Sequence, residues 1–156
     1  MNKKRFLFDK RTVVNLFNEK KFSKISKHSK SIINYYESDI DICKLVVASE
    51  INLKNYLKAE QCLKKIIANH NSDEIYYLYG NILKVQNKFY DAIDAYNKAI
   101  SLNKNFSEAY NNLANTQKNI NENKNAEHNY LKAIELNHSN LGPYFNLANL
   151  YRSEKR

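Results

Sequence analysis

The chain has 156 residues, which is enough for one domain with a buried core. It contains only two Gly and one Pro, so sharp turns between strands are hard to place, and the composition argues against a β-rich fold and for a nearly all-helical one. The net charge is +9, and the apolar run at residues 6–8 is too short for a signal peptide or a membrane span, which makes the cytoplasm the expected location.

The positive charge is concentrated near the N-terminus. Residues 1–30 hold ten of the 25 Lys and Arg residues but only two of the 16 acidic ones. A basic surface of this kind can bind nucleic acid or an anionic membrane. However, no pattern of aromatic residues and Arg for stacking bases accompanies the lysines. We therefore interpret it as a solvated helix surface and keep nucleic-acid binding through this basic hairpin as a third functional hypothesis.

Apolar residues at helical spacing predict a series of helix hairpins, and the first two are irregular. The first hairpin, residues 6–39, has a helix that contains Val13 and Phe17, a polar link, and a second helix that contains Ile33. The second hairpin, residues 40–72, follows the same register but is one residue shorter. Both are degenerate versions of the pattern that follows.

The third and fourth hairpins, residues 73–106 and 107–140, are the clearest. In the third, one face of the first helix carries Tyr76, Tyr79, Gly80 and Leu83, and one face of the second carries Ala92, Tyr96 and Ala99. The fourth repeats this pattern 34 residues later. Ser72 and Ser107 stand directly before acidic residues, which predicts two N-caps whose hydroxyls accept from helix amides. A half repeat, residues 141–156, contains a first helix without a partner.

These positions together match a known repeat. Aromatic-x-x-Leu/aromatic-Gly/Ala in the first helix and Ala-x-x-x-Tyr-x-x-Ala in the second, at a 34-residue period, resemble the tetratricopeptide repeat (TPR). The resemblance implies a single TPR domain over residues 1–156 with an all-α fold: a right-handed α-solenoid of about four helix hairpins plus a C-terminal single helix, whose first helices line a concave groove. One departure is the absence of the usual closing proline, which is replaced by Glu37, Asn71, Lys104 and His138.

The resemblance also implies a function, because TPR proteins mostly bind peptides or partner proteins and serve as scaffolds. The sequences EAYNNLAN and GPYFNLAN look like repeats of O-linked N-acetylglucosamine transferases, in which an asparagine ladder lines the groove. By that resemblance, Asn112 and Asn146 are the ladder positions. The alternative is that this chain, which stops in mid-repeat, is an N-terminal, substrate-recruiting TPR fragment of a larger glycosyltransferase or sulfotransferase.

Two columns of polar residues recur at groove positions of the repeat. The first column consists of asparagines at two repeat positions: Asn81, Asn115 and Asn149 share one, and Asn112 and Asn146 share the other, where the third hairpin has Leu78. An amide side chain carries a donor and an acceptor, so such a column can pair with successive peptide groups of an extended ligand. The second column, Lys84, Lys118 and Arg152, favours an acidic ligand. Because Asn and Lys are abundant throughout the chain, recurrence without a function is the competing interpretation.

We do not expect a heat-shock chaperone partner held by a carboxylate clamp. In TPR co-chaperones of that kind, cations stand at three positions that Tyr77, Gly142 and Asn146 occupy here. The last helix has a further expected property: Leu141, Phe145 and Leu150 should lie where a following helix would pack. This pattern favours either a truncated chain or self-association through the C-terminal helix.

No motif in the sequence indicates catalysis, a cofactor or a metal. There is no Gly-rich phosphate loop, no HExxH and no CxxC, and the four histidines are scattered. Cys43 and Cys62 fall at apolar positions of neighbouring predicted helices, so we expect buried core thiols, and without paired histidines they cannot form a structural zinc site. The sequence therefore predicts a binding scaffold and not an enzyme.

Overall fold

A computed structural model of the chain describes residues 8–155, and every regular element in that range is an α-helix, which confirms the all-α prediction. The helices form two compact units, divided between Asn71 and Ser72. The N-terminal unit contains α1 (Lys10–Asn18), α2 (Phe22–Lys27), α3 (Ser29–Tyr35), α4 (Ile40–Asn52) and α5 (Tyr56–Asn69). The C-terminal unit contains α6 (Asp73–Val85), α7 (Phe89–Leu102), α8 (Ser107–Asn119), α9 (Asn123–Leu136) and α10 (Leu141–Ser153). Residues 6 and 7 of the first predicted hairpin and Arg156 lie outside the described residues.

In the N-terminal unit, α4 packs against each of α1, α2, α3 and α5. Its inward face includes Cys43 and Val46, both fully buried, as the sequence predicts. Cys62 on α5 is also buried, and both cysteines are free thiols. Burial raises the pKa of each thiol to about 11, so both stay protonated near neutral pH and behave as small apolar core groups.

The second helix of the first hairpin is broken, whereas its apolar spacing predicts one continuous helix. Helix α2 ends at Lys27 and α3 begins at Ser29, with His28 at φ −116° and ψ 10° between them. At the break, the Ser26 hydroxyl donates to Glu50 Oε2 (2.9 Å) and the His28 ring packs against Phe8 with ring centroids 4.7 Å apart. These tertiary contacts orient both side chains, and they involve residues far apart in sequence.

In the C-terminal unit, small and large side chains alternate at the helix contacts as predicted. Ala92, Ala99, Ala126 and Ala133 are fully buried, and so are Tyr96 and Tyr130. Gly80 lies so close to Tyr96 that an added Cβ would stand 2.6 Å from the ring carbon Cε1. The repeated small residues therefore let the paired helices approach until the tyrosine rings fill the space between them.

The four links within the hairpins share one geometry. In each, a residue with positive φ follows the first helix: Lys20 (56°), Lys54 (58°), Asn87 (60°) and Asn121 (63°). The next residue donates its backbone N–H to a carbonyl five residues back, as Asn55 does to Glu50 (2.8 Å) and Lys88 to Leu83 (2.9 Å). This is the Schellman motif, which satisfies the last carbonyls of a helix and turns the chain.

The prediction that the hydroxyls of Ser72 and Ser107 cap their helices is wrong. Ser72 does occupy the N-cap position of α6, but its hydroxyl makes no capping hydrogen bond. Ser107 is the first residue of α8, and the N-cap is Phe106. The buried Ser107 hydroxyl instead donates to the Ala133 carbonyl of α9 at 3.1 Å. The Ser107 hydroxyl thus bonds to a neighbouring helix and not to the amides of its own helix.

Helix α10 leaves part of its apolar surface exposed. Leu141 is 63% exposed and Phe145 is 65% exposed, in agreement with the sequence analysis. Leu150 is fully buried, so its predicted place on the uncovered surface is wrong. It packs in a cluster with Ala114, Tyr130 and Leu147.

Candidate functional site

The first helices of the C-terminal unit, α6, α8 and α10, carry all eight predicted site residues. Adjacent first helices are joined by side-chain amides: Asn112 Nδ2 donates to Tyr77 Oη (3.0 Å) and to Asn81 Oδ1 (2.9 Å). One repeat later, Asn146 Nδ2 donates to Asn111 Oδ1 (3.0 Å). We call the surface formed by Asn81, Asn112, Asn115, Asn146 and Asn149 the asparagine face.

Two of these asparagines also join the helices within a hairpin. Asn81 Oδ1 accepts from the Tyr96 hydroxyl at 2.8 Å, and Asn115 Oδ1 accepts from the Tyr130 hydroxyl at 2.7 Å. Both hydroxyls are desolvated, so burial raises the pKa of Tyr130 to about 12 and raises that of Tyr96 as well. This structural role was missed by the sequence analysis, although the same 15-residue Asn-to-Tyr separation in both repeats is a visible signal.

These contacts leave part of the hydrogen-bonding capacity of four of the asparagine amides unused. Among the described residues, no side-chain hydrogen bond reaches the Nδ2 groups of Asn81 and Asn115 or the Oδ1 atoms of Asn112 and Asn146. These four side chains are neither fully buried nor fully exposed. The asparagine face therefore offers two donors and two acceptors that a ligand can use. The fifth member, Asn149, is exposed and accepts from Arg152 Nη2 at 3.0 Å.

The predicted basic column, Lys84, Lys118 and Arg152, occupies the last turns of the same three helices. We call it the basic row. Within residues 8–155, no carboxylate forms an ion pair with any of the three side chains. Burial lowers the pKa of the Lys84 amino group, because its charge loses hydration. A bound anion would compensate for that loss.

The position of Tyr77 differs from the corresponding position of a carboxylate clamp. Its ring packs against Phe106 and Tyr96, with centroid separations of 4.9 Å and 6.1 Å, and its hydroxyl accepts from Asn112. An aromatic cluster thus stands where that kind of site needs a cation. Asn146, a second such position, is bonded to Asn111.

The described residues contain no group of three metal-ligating side chains. In the same part of the chain, no helix has the length and apolar character needed to cross a membrane.

Comparison with known proteins identifies the repeats. A TPR repeat model matches residues 80–121, and a tetratricopeptide repeat model matches residues 107–140. No curated protein matches the sequence.

Solved structures resemble the chain over most of its length. A structure entitled "Crystal structure of MamA" aligns with a TM-score of 0.84 and 20% identity, over 96% of this chain and 87% of that one. YrrB, described as a TPR protein with an unusual peptide-binding site, aligns with a TM-score of 0.75 and 15% identity, over 93% and 75%. The first TPR of Spaghetti (RPAP3), bound to the HSP90 peptide SRMEEVD, aligns with a TM-score of 0.71 and 17% identity, over 74% and 92%.

At these identities the structural matches show the fold, and the family models locate the repeats in the sequence. The more specific resemblance to transferase repeats stays a prediction. The chain thus has the α-solenoid fold of TPR structures, and its residues 80–140 are tetratricopeptide repeats.

Proposed function

We propose that the C-terminal unit binds an extended, acidic peptide segment of a partner protein along the asparagine face. On this proposal the chain is a scaffold for protein–protein interaction and not an enzyme. Two structural neighbours support a peptide ligand: RPAP3 is bound to an HSP90 peptide in its structure, and YrrB is described as having a peptide-binding site. Because both share the fold of this chain at low sequence identity, they support a peptide as the class of ligand but not a particular peptide sequence.

The observation that carries the proposal is the basic row beside the asparagine face. Lys84, Lys118 and Arg152 recur on successive first helices, and none has a carboxylate partner among the described residues. Unpaired cations spaced along one surface attract a chain of matching negative charges more strongly than a single anion. Glu and Asp side chains of a partner would supply those charges.

The amides of the asparagine face suit the backbone of the same ligand. Each peptide group of an extended segment presents one N–H and one C=O, and the face offers both complementary groups, donors from Asn81 and Asn115 and acceptors from Asn112 and Asn146. Contacts to the backbone tolerate many side chains. We therefore infer that the amides hold the segment and that the basic row selects for acidic residues.

The proposed ligand is not the C-terminal carboxylate of a heat-shock chaperone. Tyr77 is packed in an aromatic cluster, Asn146 donates to Asn111, and Gly142 has no side chain to offer. The members of the basic row are in the last turns of their helices, whereas Gly142 is in the first turn of α10 and Tyr77 is in the first half of α6. We expect it to contact side chains along the segment.

Fluorescence polarisation with a labelled peptide of alternating Glu and Ala tests the proposal. The wild-type chain should bind it with an affinity that falls as salt increases, because exposed charges are screened. Lys84→Gln/Lys118→Gln/Arg152→Gln should weaken binding about tenfold. A matched control, Lys98→Gln/Lys104→Gln/Lys132→Gln, removes the same charge from α7, from the link between α7 and α8, and from α9, and it should bind like the wild type.

Equal loss of affinity in both variants would mean that net charge and not the basic row attracts the peptide, and it would refute the proposed site. Equally tight binding of a peptide of alternating Lys and Ala would contradict the acidic character of the ligand.

A further inference from the structure

The N-terminal unit contains a cavity of about 530 Å³ that the proposed peptide site does not use. It lies between the broken second helix of the first hairpin, α2 and α3, and the second helix of the next, α5. Its volume falls in the range of small-molecule sites, roughly 300–1,000 Å³. The cavity is therefore large enough for a ligand and not merely for water.

The sequence explains why space is left here. By the repeat period, Ser29 stands at the place of Tyr96 and Tyr130, whose rings are fully buried in the C-terminal unit. Ser29 is buried too and lines the cavity, but its side chain cannot fill the volume of a tyrosine ring. The break at His28 separates the two halves of the helix at the same point.

The inner wall of the cavity is uncharged and partly apolar. Ile33 is 3% exposed and Cys62 is 6% exposed, and Ser26 and Ser29 are similarly buried. Burial keeps the Cys62 thiol protonated near neutral pH, since its pKa is raised to about 11. This thiol is accordingly a poor nucleophile, and the wall suits the apolar body of a ligand held without a covalent bond.

The rim carries a cluster of positive charge. Among the described residues no acidic side chain lines the cavity, and the following five lysines do: Lys27, Lys30, Lys58, Lys64 and Lys65. Lys64 forms an ion pair with Glu60 at 2.8 Å, and the buried Glu50 lies behind Ser26, which donates to it. These two carboxylates offset at most two of the five charges.

The remaining lysines are held by neutral partners or by none. Lys65 donates to the Asn34 side-chain carbonyl at 2.9 Å, and Lys58 lies 3.4 Å from the Ser26 hydroxyl. Lys27 and Lys30 are exposed and form no ion pair within residues 8–155. Like charges gathered around one opening repel each other, and a bound anion would relieve that repulsion.

We propose that this lysine-rimmed cavity binds a small amphipathic anion, a molecule whose apolar body enters between α2, α3 and α5 and whose carboxylate or phosphate meets the lysines. The uncharged, partly apolar inner wall selects the body of the ligand, and the rim selects its charge. A hydrophilic anion would gain only the screened attraction of exposed lysines, and a neutral amphiphile would gain only the apolar contact. Both parts together are needed for specific binding.

Isothermal titration calorimetry of the full chain with sodium decanoate, below its micelle concentration, tests the proposal. We expect one molecule to bind, and decanol and acetate to bind at least about tenfold more weakly, because each lacks one of the two features. Lys27→Gln/Lys30→Gln should weaken decanoate binding about fivefold. The matched control Lys24→Gln/Lys104→Gln, which changes two exposed lysines outside the cavity, should leave it unchanged.

A second variant tests the cavity itself without changing charge. Ser29→Leu fills part of the open volume and should abolish decanoate binding while the circular dichroism spectrum stays that of the wild type. Equal affinities for decanoate and decanol, unchanged binding in both cavity variants, or binding to anionic vesicles without binding to monomeric decanoate would each overturn the proposal.

Discussion

Gly80 and Tyr96 show, at the scale of single residues, how little space separates paired helices in the C-terminal unit. An added Cβ on Gly80 would lie 2.6 Å, 2.8 Å and 3.0 Å from three carbons of the Tyr96 ring. That ring is fully buried and its hydroxyl is bonded to Asn81, so it has little freedom to move aside. The backbone φ of Gly80 is not positive, so an unusual backbone conformation is not the reason for Gly here. Gly is required because the Tyr96 ring packs so closely that no Cβ fits.

Gly80→Ala should therefore destabilise the protein by about 2 kcal/mol, even though Ala favours helices over Gly, because overpacking against a fixed ring outweighs that preference. Gly142→Ala is the matched control, since an added Cβ there meets only Asn140 Oδ1, at 3.2 Å. Urea denaturation of the two variants measures the difference. An unchanged midpoint for Gly80→Ala would show that the helices are less closely packed than described.

Asn112 is expected to contribute to stability as well as to binding, since it donates to both Tyr77 and Asn81 on the neighbouring helix. Asn112→Ala should lower the free energy of unfolding by about 1 kcal/mol, because the partly buried oxygens of Tyr77 and Asn81 lose their donor. Asn149→Ala, at an exposed position, should cost almost nothing. Thermal melts distinguish the two, and equal melting temperatures would argue against the bonds between α6 and α8.

The buried thiols predict how stability depends on alkaline pH. Burial raises the pKa of Cys43 and Cys62 from 9.0 to about 11, which means that folding favours the neutral thiol. The contribution of the two thiols to stability is complete below pH 9 and is lost as the pH rises through 11. The free energy of unfolding should fall over this window, and less so in Cys43→Ala/Cys62→Ala. Parallel curves for the two proteins would contradict the burial of the thiols.

At the scale of elements, the links within the hairpins store a small backbone strain. Lys20 and Lys54 adopt the left-handed conformation, with φ of 56° and 58°, which costs a residue with a side chain about 1 kcal/mol. Asn87 and Asn121 occupy the same place in the later hairpins, and Asn tolerates it better. The irregular first two hairpins thus also have the less suitable link residues.

Lys54→Gly should raise stability by about 1 kcal/mol, because Gly adopts positive φ without strain and the Lys54 side chain is exposed. Lys104→Gly provides the control: Lys104 is an exposed link residue whose φ is not positive, so the added flexibility should lower stability slightly. Chemical denaturation compares them. A loss of stability in Lys54→Gly would contradict the Schellman geometry.

The periodic sequence predicted the helices well because each one has a buried face made of local positions. Ala92, Tyr96 and Ala99 recur at fixed offsets, and all are fully buried. The break at His28 and the true partner of Ser107 could not be predicted in this way. Both depend on contacts with residues distant in the sequence, namely Phe8 and Ala133.

At the scale of the whole molecule, the repeat offsets predicted which helices carry the candidate site residues, but they did not predict all the hydrogen bonds of those side chains. The offsets placed Asn81, Asn112 and Asn146 on neighbouring first helices, and the amides do connect those helices. The bonds that Asn112 and Asn146 donate to the neighbouring first helix were not predictable, since an offset does not specify which groups of neighbouring helices meet. The lysine-rimmed cavity was also missed, although Ser29 at the repeat position of Tyr96 and Tyr130 indicates the missing side-chain volume.

The central claim is that an acidic, extended peptide lies along the asparagine face, and side-chain amide resonances test it most directly. Two-dimensional ¹H–¹⁵N spectra should show the NH₂ signals of Asn81, Asn112, Asn115 and Asn146 shifting as the Glu/Ala peptide is added. The NH₂ signals of the exposed residues Asn97 and Asn125, on α7 and α9, should not shift. Shifts confined to α7 and α9, or no shifts at saturating peptide, would contradict the account.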